Sequence, residues 1–380
     1  MRMHLHMHMH ARMHAHARAR ARVRVYVCAR ARVRLHVPVC LQVAKGNQAA
    51  YPSSKMKPAW ARRSKGPETS MAEPSKPAWA RRGVQKKAKA PRPAMERAWT
   101  PDGFRRALRA SLLPKWWVAL ILACIPLAMD LPLLAGVEYF SGEAELAKAC
   151  EKGIGPWGTY DIKNGQQFDC TTKVGQRCAI VLLLRLARHS HAHFGTPCRS
   201  WVALSRSFTK RSGLRPGGPP KSRCTPALWK YLSLHNQIAQ VTSYLIKTCV
   251  AMGHTITIEQ PVSSLLFSYE PMVAALVGTS SVSVAMSAFR GDSPKPLKIV
   301  GNAQWLGLLR KVFLLRKRGG HGDGVAKRLT ERSAKGQFGG KKGELEASSA
   351  YTASFGFAFA LCVQRLPAAH VVEEMRRRGL

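Results

Sequence analysis

The chain of 380 residues is predicted to carry an α/β domain, a sheet with helices on both faces, flanked by disordered basic arms. Three observations predict it. Strand-length apolar runs alternate with helix-length segments across residues 114–316, the pattern of βαβ units. Several of those runs end in short Gly-, Ser- or acid-containing turns, as strands feeding helices do. The flanks are far more basic than the middle: residues 1–113 hold 26 Lys and Arg against 4 acidic residues, and residues 311–380 hold 14 against 6. With 46% hydrophobic residues, the chain has enough apolar material for one or two cores. Its net charge of +41 suits polyanions, which speaks to partners and not to fold.

Residues 1–44 are read as low-complexity sequence. Met, Ala or Val alternate with His or Arg, and the codons of these two sets fit translation of an alternating purine-pyrimidine repeat. A repeat-derived start, joined to an unrelated remainder of the chain, is preferred to a histidine ladder for metal. Residues 45–113 contain KPAWARR twice, at Lys57–Arg63 and Lys76–Arg82, within Pro-, Ala- and Lys-rich sequence too poor in apolar surface to offset ordering entropy. A disordered basic arm is expected there, with Trp60 and Trp79 available for stacking on bases. The ten cysteines show neither a CxxC pair nor clustered spacing, so reduced thiols inside a cell are expected, with no metal site and no disulfide framework.

The domain proper opens with WWVALILACIPLAM, residues 116–129. Fourteen residues fall short of the about 20 that span a membrane, so a buried helix is expected, then a buried strand over Leu133–Tyr139. A membrane-associated segment over 116–137 is the competing reading. Phe140-Ser141-Gly142 ends that strand and leads into helix formers over Ala144–Glu151, with Gly153 as the stop. A strand turning tightly into a helix N-terminus offers backbone amides to an anionic or polar ligand. WGTYDI reads as a second strand ending at Asp161, the place where nucleotide-binding α/β folds hold ribose hydroxyls. Next come a leucine-rich helix over Val174–Arg188, a strand in SHAHF, a helix over roughly Tyr231–Met252 and the β-branched strand HTITIEQP. His189, His191 and His193 alternate, so they are expected on one strand face as structural histidines.

Three of these motifs, in this order, resemble the cytosine-5 DNA methyltransferase family. Phe140-Ser141-Gly142 resembles its cofactor loop, Gly195-Thr196-Pro197-Cys198 its proline-cysteine loop, and Glu259-Gln260-Pro261 its Glu-Asn-Val tripeptide. The last is closer still to the Glu-Asn-Pro variant of divergent, mobile-element-associated relatives. The likeness covers about residues 131–310 and implies a Rossmann-like methyltransferase sheet using S-adenosylmethionine and no metal. It implies that Cys198 is the nucleophile and that Glu259 holds the target ring. Phe140, Ser141, Gly142, Asp161 and Asp169 would line the cofactor, with Asp161 on the ribose. Pro197, Arg199, Ser200, Gln260, and Arg290 or Lys295 would serve the substrate. The chain departs from the family at Ala144 and Glu145, where glycines are usual, at Arg199 and Gln260, which replace Gln and Asn, and in lacking a Gln-x-Arg-x-Arg pattern.

The expected organisation is therefore a methyltransferase-like domain at 114–316, a Gly- and Lys-rich basic tail at 317–349, and a short helix or strand-helix piece at 350–380. Nucleic acid is the expected partner, DNA more than RNA, and the nucleus the expected compartment. Two other functions fit the same residues: a non-catalytic basic nucleic-acid binder that keeps the fold, and a small membrane-associated protein anchored by residues 116–137.

Overall fold

The computed structural model describes residues 95–97, 99–291, 296–318, 331–332, 338–339 and 351–380, all within the compact unit Ala88–Leu380. The readings made for residues 1–94, for most of the 317–349 tail and for Lys295 lie outside the described residues.

The architecture is α/β. Strands β1 (Leu134–Tyr139), β2 (Trp157–Tyr160), β3 (Leu186–Phe194), β4 (Thr255–Pro261), β5 (Ser280–Ala285) and β6 (Pro296–Gly301) form one mixed sheet in the order β2-β1-β3-β4-β6-β5. The first four run parallel, and β6 lies antiparallel between β4 and β5. The chain steps outward from β1 to β2, then returns to place β3 on the other side of β1 and β4 beyond it. Strand order thus reverses between β1 and β3, and in open α/β sheets ligands bind at the carboxyl ends of the strands beside such a reversal.

One face of the sheet is covered by α1 (Pro101–Ala110), α2 (Lys115–Met129), α4 (Lys173–Leu184), the long α5 (Pro226–Ala251) and α6 (Glu270–Ala275). The opposite face carries α3 (Glu145–Gly153), α7 (Leu306–Arg318), α8 (Ala353–Val363) and α9 (Ala368–Arg377). The run at 116–129 is the core helix α2: Trp117 and Ile121 are fully buried, and the Trp117 indole donates to Thr248 Oγ1 of α5 at 3.2 Å. Among the described residues no helix is long and apolar enough to cross a membrane.

The core reaches beyond 114–316 at both ends. In α1, Thr100 caps the N-terminus by accepting from the Gly103 amide at 3.2 Å, and Phe104 and Leu108 are buried at i, i+4 spacing. Arginines on its outer face had masked this amphipathic helix within basic sequence. After the tail, α8 packs on α3 and buries Phe355 and Phe359, the latter against the His191 and His193 rings of β3 and the Trp305 ring.

The expected three-histidine face is corrected by a bulge. His189 takes a left-handed φ of 62° where the β1–β3 register shifts, so its side chain turns to solvent. His191 and His193 alone share the inner face. Between Leu134–Gly136 of β1 and Leu186–His191 of β3 the register gains three residues on β3, an odd number that breaks the alternation.

Candidate functional site

The carboxyl ends of β1 to β4 converge, and the loops leaving them hold most of the residues singled out from sequence. The first loop follows β1. Phe140, Gly142 and Ala144 all adopt left-handed backbone, with φ of 58°, 53° and 58°; only glycine does so without steric cost. Ala144 is thus an L residue in a glycine conformation, directly before α3. The loop is tied to β2 by Asp161, whose Oδ2 accepts from the Gly142 amide at 2.9 Å and whose Oδ1 accepts from the Lys163 amide at 2.8 Å.

Sequence reasoning missed Glu138. It lies wholly buried on β1, and its Oε2 accepts from the Ala147 amide in the first turn of α3 at 2.8 Å. Its Oε1 is buried without a hydrogen-bond partner. Burial raises its pKa to about 8, opposed by the Ala147 amide. The signal was an acid inside an otherwise apolar strand, GVEYF.

The second loop follows β3. Gly195 sits where the loops meet: a β-carbon added there would lie 3.2 Å from the Phe140 carbonyl oxygen and 3.5 Å from the Tyr351 hydroxyl. Pro197 and Cys198 are half-buried, and Arg199 is exposed. Ser200 is fully buried and points inward, its Oγ accepting from Arg211 at 3.3 Å. The Arg211 guanidinium stacks 3.7 Å above the Trp201 ring, and burial lowers its pKa to about 10. The loop is fastened to β4 by Gln260, which donates to the Thr196 carbonyl and accepts from Ser264 Oγ at 2.9 Å.

Glu259 lies on the face opposite Gln260. Its Oε2 accepts from the Tyr351 hydroxyl at 3.1 Å, and Tyr351 meets His193 Nε2 at 3.0 Å. Tyr351 is the second residue that sequence reasoning missed, because it comes from a segment 92 positions away. Burial above all, and then the nearby Glu259 and Glu138 carboxyl groups, push the Tyr351 pKa well above the usual tyrosine value. Tyr351 thus joins Glu259 at the end of β4 to His193 on β3, the strand whose loop carries Cys198.

The remaining residues lie farther out. Asp169 accepts from the Thr171 amide at 2.9 Å and from Thr171 Oγ1 at 2.7 Å, an Asx turn leading into α4. The adjoining Phe168 ring packs edge-on to Tyr160 at 5.5 Å. Arg290 is exposed and left-handed, with φ of 61°, at the end of the turn after β5.

Charge around this end is one-sided. From Cys170 to Ile258 the chain holds 13 Lys and Arg and no acidic residue. Arg199, Arg206, Lys210, Arg215, Lys221 and Arg223 are all exposed on the segment after Cys198. Among the described residues no three His, Cys, Asp or Glu side chains converge to hold a metal ion. Two clefts of about 530 and 460 Å³ open at the opposite, amino end of the parallel strands, beside His189 and Trp305. Neither is lined by Cys198, Glu259 or Asp161. Comparison with protein-family models and with curated protein sequences finds no match.

Proposed function

We propose that the chain is a methyltransferase-like protein with a Rossmann-like sheet, acting on carbon 5 of cytosine in DNA with S-adenosylmethionine as methyl donor. The observation that carries this reading is the placing of Cys198, Glu259 and the Asp161-tied glycine loop at the carboxyl ends of adjacent parallel strands, next to the reversal of strand order. The fit to the cofactor rests on three features. Ser141 Oγ and Glu138 Oε1 are buried without partners beside the loop, and no atom lies within 4 Å of where a β-carbon on Gly142 would sit. Phe140, Ser141, Gly142 and Asp161 would hold the cofactor, with Asp161 toward the ribose; once bound, it would supply an electrophilic methyl group to carbon 5, the bond from sulfur to methyl breaking to leave a neutral thioether.

Cytosine carbon 5 is too weak a nucleophile to take that methyl group unaided. The Cys198 thiolate adds to ring carbon 6, so the electron pair of the carbon 5–carbon 6 bond becomes available at carbon 5. Glu259, once protonated, donates to the ring nitrogen while its other oxygen accepts from the exocyclic amine, and so steadies the negative charge developing on the ring. When the carbon 5 proton has left to a solvent base, elimination returns Cys198 as thiolate. The base must first leave the duplex stack, which costs a few kcal/mol, and the basic segment after Cys198 offsets part of this by gripping phosphates.

A second reading is favoured by Ala144, an L residue where the loop takes a glycine conformation: a basic nucleic-acid binder that keeps the fold and has lost catalysis. Incubating the full chain with S-adenosylmethionine and a duplex carrying 5-fluorocytosine separates the two. Transfer predicts a protein-DNA adduct that survives denaturation and disappears in Cys198→Ala. DNA binding by the folded chain without adduct leaves the binder.

A further inference from the structure

On the inner face of the sheet a run of polar side chains crosses from strand to strand. His191 Nε2 meets Thr257 Oγ1 at 2.8 Å, and the same hydroxyl meets His193 Nδ1 at 2.8 Å. His193 Nε2 meets the Tyr351 hydroxyl at 3.0 Å, and that hydroxyl donates to Glu259 Oε2 at 3.1 Å. The register makes this possible: Glu138, His193 and Thr257 are cross-strand neighbours on β1, β3 and β4.

Direction along the run is set by its end. A carboxylate only accepts, so Tyr351 gives its proton to Glu259, and its oxygen accepts from His193 Nε2–H. His193 Nδ1 then accepts from the Thr257 hydroxyl, whose oxygen accepts from His191 Nε2–H. Both histidines are wholly buried, and burial lowers their pKa values, that of His193 to about 3. They remain neutral near pH 7, each with one donor and one acceptor nitrogen, as the run requires. Tyr351 is itself fixed, its neighbour Thr352 donating to the Phe289 carbonyl at 2.7 Å and its ring lying 5.4 Å from Phe355.

We propose that Tyr351, brought from the far C-terminal segment and oriented by His193, is a positioning residue for Glu259: its hydroxyl holds one carboxylate oxygen and so sets the orientation in which Glu259 meets the base. This rests on the methyl-transfer reading for its purpose, while the coupling between the two side chains stands apart from it. Among the described residues, the titratable groups that bear on the Tyr351 hydroxyl besides Glu259 include Glu138 on β1, His193 on β3 and Cys198 in the loop after β3. Lys298 on β6, cross-strand from Gln260, turns its ammonium over the Phe267 ring on the other face.

The test is Tyr351→Phe in the full chain, which removes a single oxygen. Carbon-13 NMR of labelled glutamate, assigned with Glu259→Gln, reads the Glu259 carboxyl titration directly. A donor to a carboxylate favours its charged form, so losing it raises the Glu259 pKa, by about one unit for one hydrogen bond. Because Glu259 must carry a proton to donate to the ring nitrogen, the alkaline limb of kcat/KM for methyl transfer must move up by the same amount, with KM for DNA little changed. An unchanged Glu259 titration in a folded Tyr351→Phe chain overturns the proposal. Should that variant fail to fold, 3-fluorotyrosine placed at position 351 is a stronger donor and must lower the Glu259 pKa; no shift there overturns it equally. A wild-type chain that transfers no methyl group, yet shows these titration shifts, defeats the methyl-transfer reading and leaves the coupling intact.

Discussion

Gln260 donates its side-chain amide to the carbonyl oxygen of Thr196, joining the end of β4 to the loop that carries Cys198. Both groups are buried, so cutting the bond leaves a carbonyl without its partner, at about 1–3 kcal/mol. Gln260→Leu is expected to destabilise the fold by that order and to free the loop. Alkylation of Cys198 by iodoacetamide, followed by mass spectrometry, should then proceed several-fold faster than in the wild type. Gln260→Asn, one methylene shorter, should resemble the Leu variant.

Ala144 holds a backbone conformation that suits glycine. Ala144→Gly removes a strain of about 1–2 kcal/mol, so the midpoint of urea unfolding should rise. Gly142→Ala is the mirror test: its φ of 53° imposes strain while no neighbour lies within 4 Å of the added carbon. It should lower stability through backbone conformation alone.

Glu138 makes stability depend on pH in a stated direction. Its carboxyl has a pKa of about 8 in the fold, above the about 4.3 of an unfolded glutamate. Between these values the native state keeps a proton that the unfolded chain has lost, so stability falls as pH rises through that window. Glu138→Gln, which retains an oxygen for the Ala147 amide, should flatten the profile of urea midpoint against pH from 5 to 8. It should be more stable than the wild type at pH 8.

The exposed cations after Cys198 predict strongly salt-dependent DNA binding. For duplex DNA, fluorescence anisotropy should give a log K that falls linearly with log salt, and each phosphate contact removed should reduce the slope by about 0.9. The pair Arg206→Gln and Lys210→Gln should therefore reduce it by about 2 and weaken all sequences alike. An unchanged slope would place the DNA on another surface.

How far the sequence was legible depended on how local each signal was. The strands and helices from 134 to 261 were readable within a few residues, because a buried parallel strand and a helix each carry a short-range pattern. The bulge around His189 was invisible, since strict alternation in ARHSHAHF hides the three extra residues by which β3 slips past β1. The first helix was hidden by arginines whose apolar partners, Phe104 and Leu108, are only two in ten residues. Within the site, Cys198, Glu259 and Asp161 stood out through local motifs. Ser200, singled out for substrate, is buried and accepts from Arg211, a direction that spacing alone does not convey. Tyr351 carried no local signal, because its hydrogen bond to Glu259 is made by tertiary contact across 92 positions.

The most direct test of the account is calorimetric titration of S-adenosylmethionine into the full chain, since the core takes in both the 99–110 segment and the C-terminal helices. The account predicts binding at micromolar affinity, lost in Asp161→Ala while the fold is kept. A folded chain that takes up no S-adenosylmethionine, with or without DNA present, would contradict it.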